Sequence, residues 1–124
     1  MSTILTTTVK ADTLLHSDGS TTNPPAIPAL APSMAKVWCK WSQADHVIDS
    51  SYGVSSIDDT GTGSTRINFS TALSSGNHAT VSSDDHYGNS FVANHAATSV
   101  ITANMNQANT GYADALMNLV VFGL

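Results

Sequence analysis

The stretch that most constrains the fold is residues 52–73, whose pattern predicts a β-hairpin. In its second half the apolar residues Ile67 and Phe69 alternate with polar ones, which is the period-two pattern of a half-buried strand. Residues 58–64 are rich in Asp, Thr and Gly, and the two glycines among them can adopt the positive φ that a tight reversal needs. The first strand of the hairpin is therefore predicted to end near Ile57, where the turn begins.

Short strand-like segments separated by turn signals continue along the rest of the chain. Beside the hairpin, apolar patterns predict strands at residues 34–42, 78–83, 91–92, 97–105 and 115–122. In the first of these, Val37, Cys39 and Trp41 share the face predicted to be buried; in the second, Ala79 and Val81 do. The last strand is nearly continuous in apolar character, so both of its faces are predicted to be covered. About seven or eight antiparallel strands predict an all-β fold, a β-sandwich or jelly-roll-like domain.

Two segments are predicted to lie outside the strands. Residues 43–51 are mostly polar and are predicted to form a corner. Residues 1–32 are predicted to form an extended N-terminal arm in front of a sandwich that spans residues 33–124. The four prolines of the arm fix φ and favour extended backbone. Its apolar residues are too sparse for it to fold alone, so it is expected to become ordered by packing on a partner.

The charge of the chain excludes some classes of partner. Charged residues make up 10% of the sequence, the net charge is −5, and four residues are basic. Binding to nucleic acid depends on clustered Lys and Arg, so no nucleic-acid partner is expected. No apolar run approaches the ~20 residues that a helix needs to span a bilayer, so no membrane insertion is expected.

The composition also predicts where the protein acts. Ser and Thr make up about a quarter of the chain and every acidic residue is Asp, which gives a surface like that of extracellular β-proteins. No basic segment followed by an apolar core opens the sequence, so no signal peptide is predicted. Cys39 is the single cysteine, which excludes an intrachain disulfide, and it is expected to be a small buried apolar residue. A protein that leaves the cell on a virion fits this combination, so the virion is its predicted location.

The sequence contains no pattern that demands catalysis. A nucleophile elbow, a phosphate-binding loop and zinc-ligand spacing are all missing. The five histidines are scattered, mostly in predicted turns, and are expected to lie at the surface or at an interface. No enzymatic activity, cofactor or metal site is expected.

One predicted loop carries candidate contacts for a ligand. Asp84, Asp85, His86 and Tyr87 are consecutive, and loops at one end of a sandwich commonly carry recognition. The carboxylates offer oxygen ligands for a hard cation or a sugar, but they lack the alternating spacing of a calcium loop. The tyrosine ring offers a surface on which a sugar can stack. A solvated turn is the simpler interpretation of the same four residues.

Trp38 is the sharper candidate because it lies on the outward face of its strand. It is flanked by Lys36 and Lys40 and points away from the core residue Trp41. A tryptophan left in water forgoes ~2 kcal/mol or more of burial, at ~25 cal/mol per Å². It is therefore expected to be covered by the Pro-rich segment or by a neighbouring subunit, with a platform for a glycan as the alternative.

Several pieces of the chain together resemble a known group of proteins. They are VKADT and DGSTT in the arm (9–13 and 18–22), AKVWCKW (35–41), VSSIDDTGTG and INFSTAL in the hairpin (54–63 and 67–73), and NLVVFG near the end (118–123). These pieces resemble the small β-sandwich tail-fibre and virion structural proteins of tailed bacteriophages, especially marine and cyanobacterial ones. The likeness covers most of the chain and departs at residues 42–49 and 84–95.

The resemblance implies a virion structural protein, in a tail fibre or associated with the tail. Such a protein assembles as an oligomer, often a homotrimer. Its arm, residues 1–32, is expected to dock on other virion proteins, and its sandwich is displayed for assembly or for host attachment, with a host-surface glycan as ligand. The alternatives are a capsid decoration or head-fibre protein and, from a different class, a free carbohydrate-binding module.

Overall fold

The computed structural model describes residues 34–85 and 88–123. These residues form eight strands: β1 (Ala35–Ser42), β2 (Val47–Tyr52), β3 (Val54–Gly61), β4 (Ser64–Phe69), β5 (Ala79–Asp84), β6 (Asn89–His95), β7 (Ser99–Met105) and β8 (Leu116–Phe122). Within the described residues there is no helix that could cross a membrane. The predicted arm, residues 1–32, lies outside the described residues, and so do His86 and Tyr87.

The strands form two four-stranded sheets, which confirms the predicted all-β sandwich. The first sheet has the order β2-β1-β8-β5 and the second has the order β3-β4-β7-β6. Every pairing of neighbouring strands is antiparallel. The first and last strands thus lie side by side at the centre of the first sheet, so that sheet cannot be completed until the end of the chain is in place.

The core lies between the two sheets and uses one face of each central strand. Its buried apolar side chains are Val37, Cys39, Trp41, Ile67, Phe69, Val100, Met117, Leu119 and Val121. The predicted burial of alternate residues in β1 is confirmed. Each such side chain contributes about 1.5–3 kcal/mol on burial, so the alternation in β1, β4 and β8 is enough to fix which faces of these strands meet.

One end of the core is polar. Gln43, Thr65, Thr102 and Asn104 are buried there, between the sheets. The Oε1 atom of Gln43 accepts a hydrogen bond from the backbone N–H of Ala115 at 3.2 Å. This bond ties the end of β1 to the start of β8. A buried amide oxygen needs a hydrogen-bond donor, so the arrangement that places the Ala115 N–H beside Gln43 is favoured.

The hairpin is present but its turn is shorter than predicted. Strand β3 continues to Gly61 and β4 begins at Ser64, so the reversal takes only two residues. The register shifts between Val54 and Ser56 and again between Asp59 and Gly61. A bulge adds one residue to a strand without ending its pairing. The Asp-rich end of β3 therefore stays paired with β4, where a simple turn was predicted.

The predicted corner at residues 43–51 contains a strand, β2, which pairs with β1.

The inward face predicted for β5 was also wrong. Val81 is 63% exposed, whereas Thr80 and Ser82 are partly buried. Val81 pairs with Val120 of β8, and this register sends the valine outward, because successive side chains in a strand point to opposite faces.

Candidate functional site

Exposed apolar side chains gather on the outer face of the first sheet. Large exposed apolar side chains of this face, on all four strands, are Trp38, Val47, Tyr52, Val81 and Leu116. The opposite face of the same sheet supplies core residues, so this sheet is apolar on both sides. Scattered single apolar residues are normal on a protein surface, but a contiguous group marks an interaction site.

Three of these side chains, together with the partly buried Val120, form a row across the whole sheet, here named the apolar strip. Trp38 of β1 pairs with Tyr52 of β2 on one side and with Val120 of β8 on the other. Val120 pairs in turn with Val81 of β5. Since neighbouring strands lie about 4.8 Å apart, the strip is roughly 14 Å long. Trp38 is 39% exposed, Tyr52 51% and Val81 63%. The Pro-rich segment that was predicted to cover Trp38 lies outside the described residues.

A second row, named the polar row, runs beside the strip. It consists of Ser50, Lys40, Asn118 and Ser83, which pair in register across the same four strands. Asp85 closes it at the β5 end. The Lys40 Nζ atom donates to Asp85 Oδ2 at 3.0 Å, and the Asn118 Nδ2 atom donates to Asp85 Oδ1 at 2.7 Å.

The hydrogen bonds around Asp85 fix the positions of polar groups and add little to the free energy of unfolding. The Lys40 and Asp85 side chains are 42% and 34% exposed, and an ion pair of that kind contributes about 0–1 kcal/mol. Its two bonds nevertheless hold a carboxylate, an ammonium group and an amide in one arrangement beside the strip. The opposite charges of the pair also offset each other, so the face presents hydrogen-bonding groups without a strong net charge.

The structure brings two of the predicted contact residues to one face and separates a third from them. Trp38 lies in the apolar strip, and Asp85 lies at the end of the polar row. Asp84 precedes Asp85 on the inward side of β5, paired with Met117 in register. The other two predicted contacts, His86 and Tyr87, lie outside the described residues.

Tyr52, Val81 and Val120 are members of the strip that sequence reasoning missed. Tyr52 was assigned to the start of the hairpin, although it ends β2, and both valines were assigned to covered faces. The sequence did contain one signal. Val81 is the only large apolar residue in β5, and a strand whose apolar residues do not repeat does not say which of its faces is buried.

The second sheet carries a smaller aromatic pair on its outer face. The rings of Phe91 and Tyr112 lie 6.4 Å apart, centroid to centroid. Phe91 is 38% exposed and Tyr112 57%. This pair is a natural control for the strip, because it offers exposed aromatic surface on the other side of the sandwich.

His78 has a structural role in this fold. Both of its ring nitrogens have hydrogen-bond partners, and its ring packs against other rings. Nδ1 lies 2.9 Å from Thr80 Oγ1, and Nε2 lies 3.2 Å from the carbonyl oxygen of Ala96. A carbonyl only accepts, so Nε2 carries the proton of the neutral ring and Nδ1 accepts from the threonine. Its ring meets those of Phe69 and His95 edge to face. Burial, together with the nearby His95, lowers the pKa of His78.

No family model, curated protein or solved structure matches this chain. The feature of the described residues that bears most on function is therefore the outer face of the first sheet. That face combines an apolar strip with a polar row held by hydrogen bonds, and such a surface can bind either another protein subunit or the apolar face of a sugar.

Proposed function

We propose that this chain is a virion structural protein of a tailed bacteriophage, in the tail fibre or associated with the tail. The observation that carries the proposal is the apolar strip. Monomeric soluble domains rarely leave such a contiguous group of aromatic and aliphatic side chains in water, and those that do use it to bind. The hydroxyl-rich, weakly charged composition fits a protein that is displayed on a particle and assembled with copies of itself.

The proposed partner of the strip is a second copy of the chain, within a homotrimer. The strip crosses all four strands of the first sheet, so another subunit can cover it along its whole length. Copies of one protein carry the same net charge, here −5, so they associate best through a face on which charge is balanced. The pairing of Lys40 with Asp85 provides that balance beside the strip. Aromatic residues at the centre of an interface and polar ones at its rim are the usual arrangement.

Residues 1–32 are proposed to dock the protein on other virion proteins. They lie outside the described residues, and the proposal rests on their sequence. Four prolines in a short segment reduce the conformational entropy that is lost on binding. Deleting these residues from the phage gene is expected to leave the protein out of purified particles. Particles that still contain the shortened protein would disprove the docking role.

Localisation on the particle tests the virion role directly. Mass spectrometry of purified particles is expected to detect the chain, and immunogold labelling is expected to mark the tail. Label on the head would support the alternative, a capsid decoration or head-fibre protein. A chain found in infected cells but missing from particles would contradict both.

Oligomer mass tests the proposed role of the strip. Light scattering after size exclusion is expected to give three times the chain mass of 12.9 kDa. Trp38→Asp places a charge at the centre of the strip and is expected to lower the mass to that of the monomer. The matched control is Tyr112→Asp, which changes a still more exposed aromatic residue on the side of the second sheet and is expected to leave the mass unchanged. A wild-type monomer, or equal effects of both variants, would refute the strip as the interface.

A carbohydrate-binding module is the second candidate, favoured by the polar row. A sugar that stacks on Trp38 and Tyr52 would lie next to Ser50 and Lys40 of the polar row, and the Lys40 ammonium group is already held by Asp85. Preorganised polar groups of this kind fix the orientation of a ligand at little entropic cost. The test is a broad glycan array with the soluble protein, the Trp38→Ala variant and the matched control Tyr112→Ala. Binding that only the Trp38 variant loses would favour this candidate, and an empty array would count against it.

A further inference from the structure

A polar cleft opens on the outer face of the second sheet, on the opposite side of the sandwich from the apolar strip. Its volume is about 370 Å³, within the range of about 300–1,000 Å³ that is usual for small-molecule sites. Strand β7 lies in the middle of this region, between β4 and β6. The side chains around the cleft, here named the Arg66 cleft, are mostly polar and include Arg66, Asn68, Asn94, Thr98, Ser99 and Ile101.

The pairing of three strands brings these side chains together. Arg66 of β4 pairs with Ile101 of β7, which pairs in turn with Asn94 of β6. In the next outward-facing row, Asn68 pairs with Ser99. The register of β6 shifts just before Asn94, and a bulge of this kind changes which side chain of a strand lies opposite its neighbour. The bulge therefore places an amide opposite Ile101, on the face that carries Arg66.

The polar groups of the cleft have hydrogen-bonding capacity that the protein does not use. Among the residues that the structure describes, the side chains of Arg66, Asn94, Thr98 and Ser99 form no hydrogen bond. Ser99 is nevertheless partly buried. In the polar row of the first sheet, by contrast, the polar groups bond to one another. The donors and acceptors of the Arg66 cleft are therefore available to a ligand.

Edge strand β3 positions Asn68 and offsets the charge of Arg66. Asn68 Nδ2 donates to Ser56 Oγ and to Asp58 Oδ2, both at 3.0 Å, so both of its N–H groups are used and its Oδ1 atom is left to accept. Arg66 Nη1 lies 4.0 Å from the same Asp58 oxygen. That distance is too long for a hydrogen bond, so the guanidinium keeps its donors while the carboxylate offsets its charge.

The charge and the chemical groups of the cleft favour a neutral, hydroxyl-rich ligand. The guanidinium has a carboxylate nearby, and the chain has a net charge of −5, so an anionic ligand gains little. A sugar offers hydroxyls that both donate and accept, and its C–H groups can pack on the apolar side chain of Ile101. The planar fork of Arg66 can donate two parallel bonds to neighbouring oxygens of such a ligand.

We propose that the Arg66 cleft binds a neutral saccharide. Arg66 and the amide of Asn94 donate to the sugar hydroxyls. Asn68 Oδ1 and the hydroxyl of Ser99 accept from them, and Ile101 contacts the C–H groups of the ring. In the proposed virion, other copies of the chain cover the first sheet and leave this cleft free to meet a host-surface glycan. That use rests on the proposed function, whereas binding by the soluble protein does not.

A glycan array tests the proposal with the full-length protein. The array carries neutral glycans that end in glucose, galactose, mannose or N-acetylglucosamine, together with sialylated and sulfated ones. Presenting the biotinylated protein on streptavidin makes it multivalent, which raises its apparent affinity. Binding to at least one neutral class is expected. The strongest glycan is then titrated in soluble form to give a dissociation constant for the wild type and for each variant.

Two variants and a matched control locate the binding. Arg66→Lys keeps the charge but removes the fork, and Asn94→Ala removes the amide, so each is expected to weaken binding about tenfold or more. Both side chains are exposed and form no hydrogen bond within the described part of the chain, so urea melts of these variants are expected to match the wild type. Asn89→Ala makes the same change on the same strand outside the cleft, and it is expected to keep the wild-type affinity.

Three outcomes would overturn the proposal. They are an array on which no neutral glycan is bound, a preference for the sialylated or sulfated glycans, and binding that survives both Arg66→Lys and Asn94→Ala. If that surviving binding is lost in Trp38→Ala, it belongs to the first sheet. Whether the chain is found in particles and forms a trimer is measured separately, so this proposal and the proposed function can fail independently.

Discussion

Replacement of Gly63 with alanine is expected to destabilise the protein more than replacement of Gly61 or Gly111 with alanine. Gly63 has a φ of 64°, in the left-handed region, and lies where the tip of the β3–β4 hairpin meets the β7–β8 connection. An alanine Cβ there would lie 2.6 Å from Ala113 N and 2.7 Å from the carbonyl oxygen of Asn104. Both neighbours are backbone atoms, so no side-chain rotation relieves the contact, and the two segments must move apart.

The expected loss follows from the bonds at this position. The left-handed conformation costs alanine about 1–2 kcal/mol. Separation of the segments weakens two hydrogen bonds, from Gly63 N to Asp114 Oδ1 at 2.6 Å and from Asn104 N to Gly63 O at 2.7 Å. A charged partner makes such a bond worth about 1.5–3 kcal/mol and a neutral one about 0.5–1.5 kcal/mol. After about 0.4–1 kcal/mol is regained from the stiffer unfolded chain, the net loss is about 3–5 kcal/mol.

Urea unfolding followed by tryptophan fluorescence measures this loss, and two other glycines provide controls. Gly61 has a φ of 130°, but no described atom lies within 4 Å of its Cβ position, so Gly61→Ala is expected to cost only the conformational strain, about 1–3 kcal/mol. At Gly111 the nearest described atom lies 4.0 Å away, so Gly111→Ala is expected to change stability by less than about 0.5 kcal/mol. If Gly63→Ala costs no more than Gly61→Ala, the close approach of the two segments is not real.

Three further predictions concern Cys39, His78 and the threonine pair Thr65 and Thr102. Burial raises the pKa of the Cys39 thiol to about 11, so thiol reagents at neutral pH are expected to label it only in urea, and rapid labelling of the native protein would contradict its burial. The pKa of His78 is lowered in the folded protein, so the unfolded state binds the proton more tightly. The stability that the neutral ring provides is therefore complete above about pH 6.5 and is lost as the pH falls toward the pKa of the folded state. The melting temperatures of wild type and His78→Gln are expected to converge in acid, and parallel pH profiles of the two proteins would refute this. The hydroxyls of Thr65 and Thr102 are buried and unpaired among the described residues, so valine at both positions is expected to raise the free energy of unfolding by about 1–3 kcal/mol, and a loss in urea melts would indicate a bound water.

Local patterns were enough to predict the fold class and the central strands. In β1 the alternation of Val37, Cys39 and Trp41 repeats three times within one strand, and all three side chains are buried. Such a repeat defines a face without reference to any other strand. The hairpin was recognisable for the same reason, since the glycines of its turn lie between two alternating segments. Its exact turn was missed because bulges depend on pairing with the partner strand, which composition does not reveal.

The candidate site could not be predicted in the same way, because it depends on register between distant strands. Trp38 and Val81 belong to one surface only because β8, the last strand of the chain, lies between β1 and β5 and contributes Val120. A shift of one residue in the pairing of β5 would turn Val81 into the core and bring Thr80 to the surface. Predicting the strip therefore requires both the strand order and the register, and no single segment of the sequence determines either of them. Trp38 alone was identified from the sequence, because tryptophan on the outer face of a strand needs a partner wherever its neighbours lie.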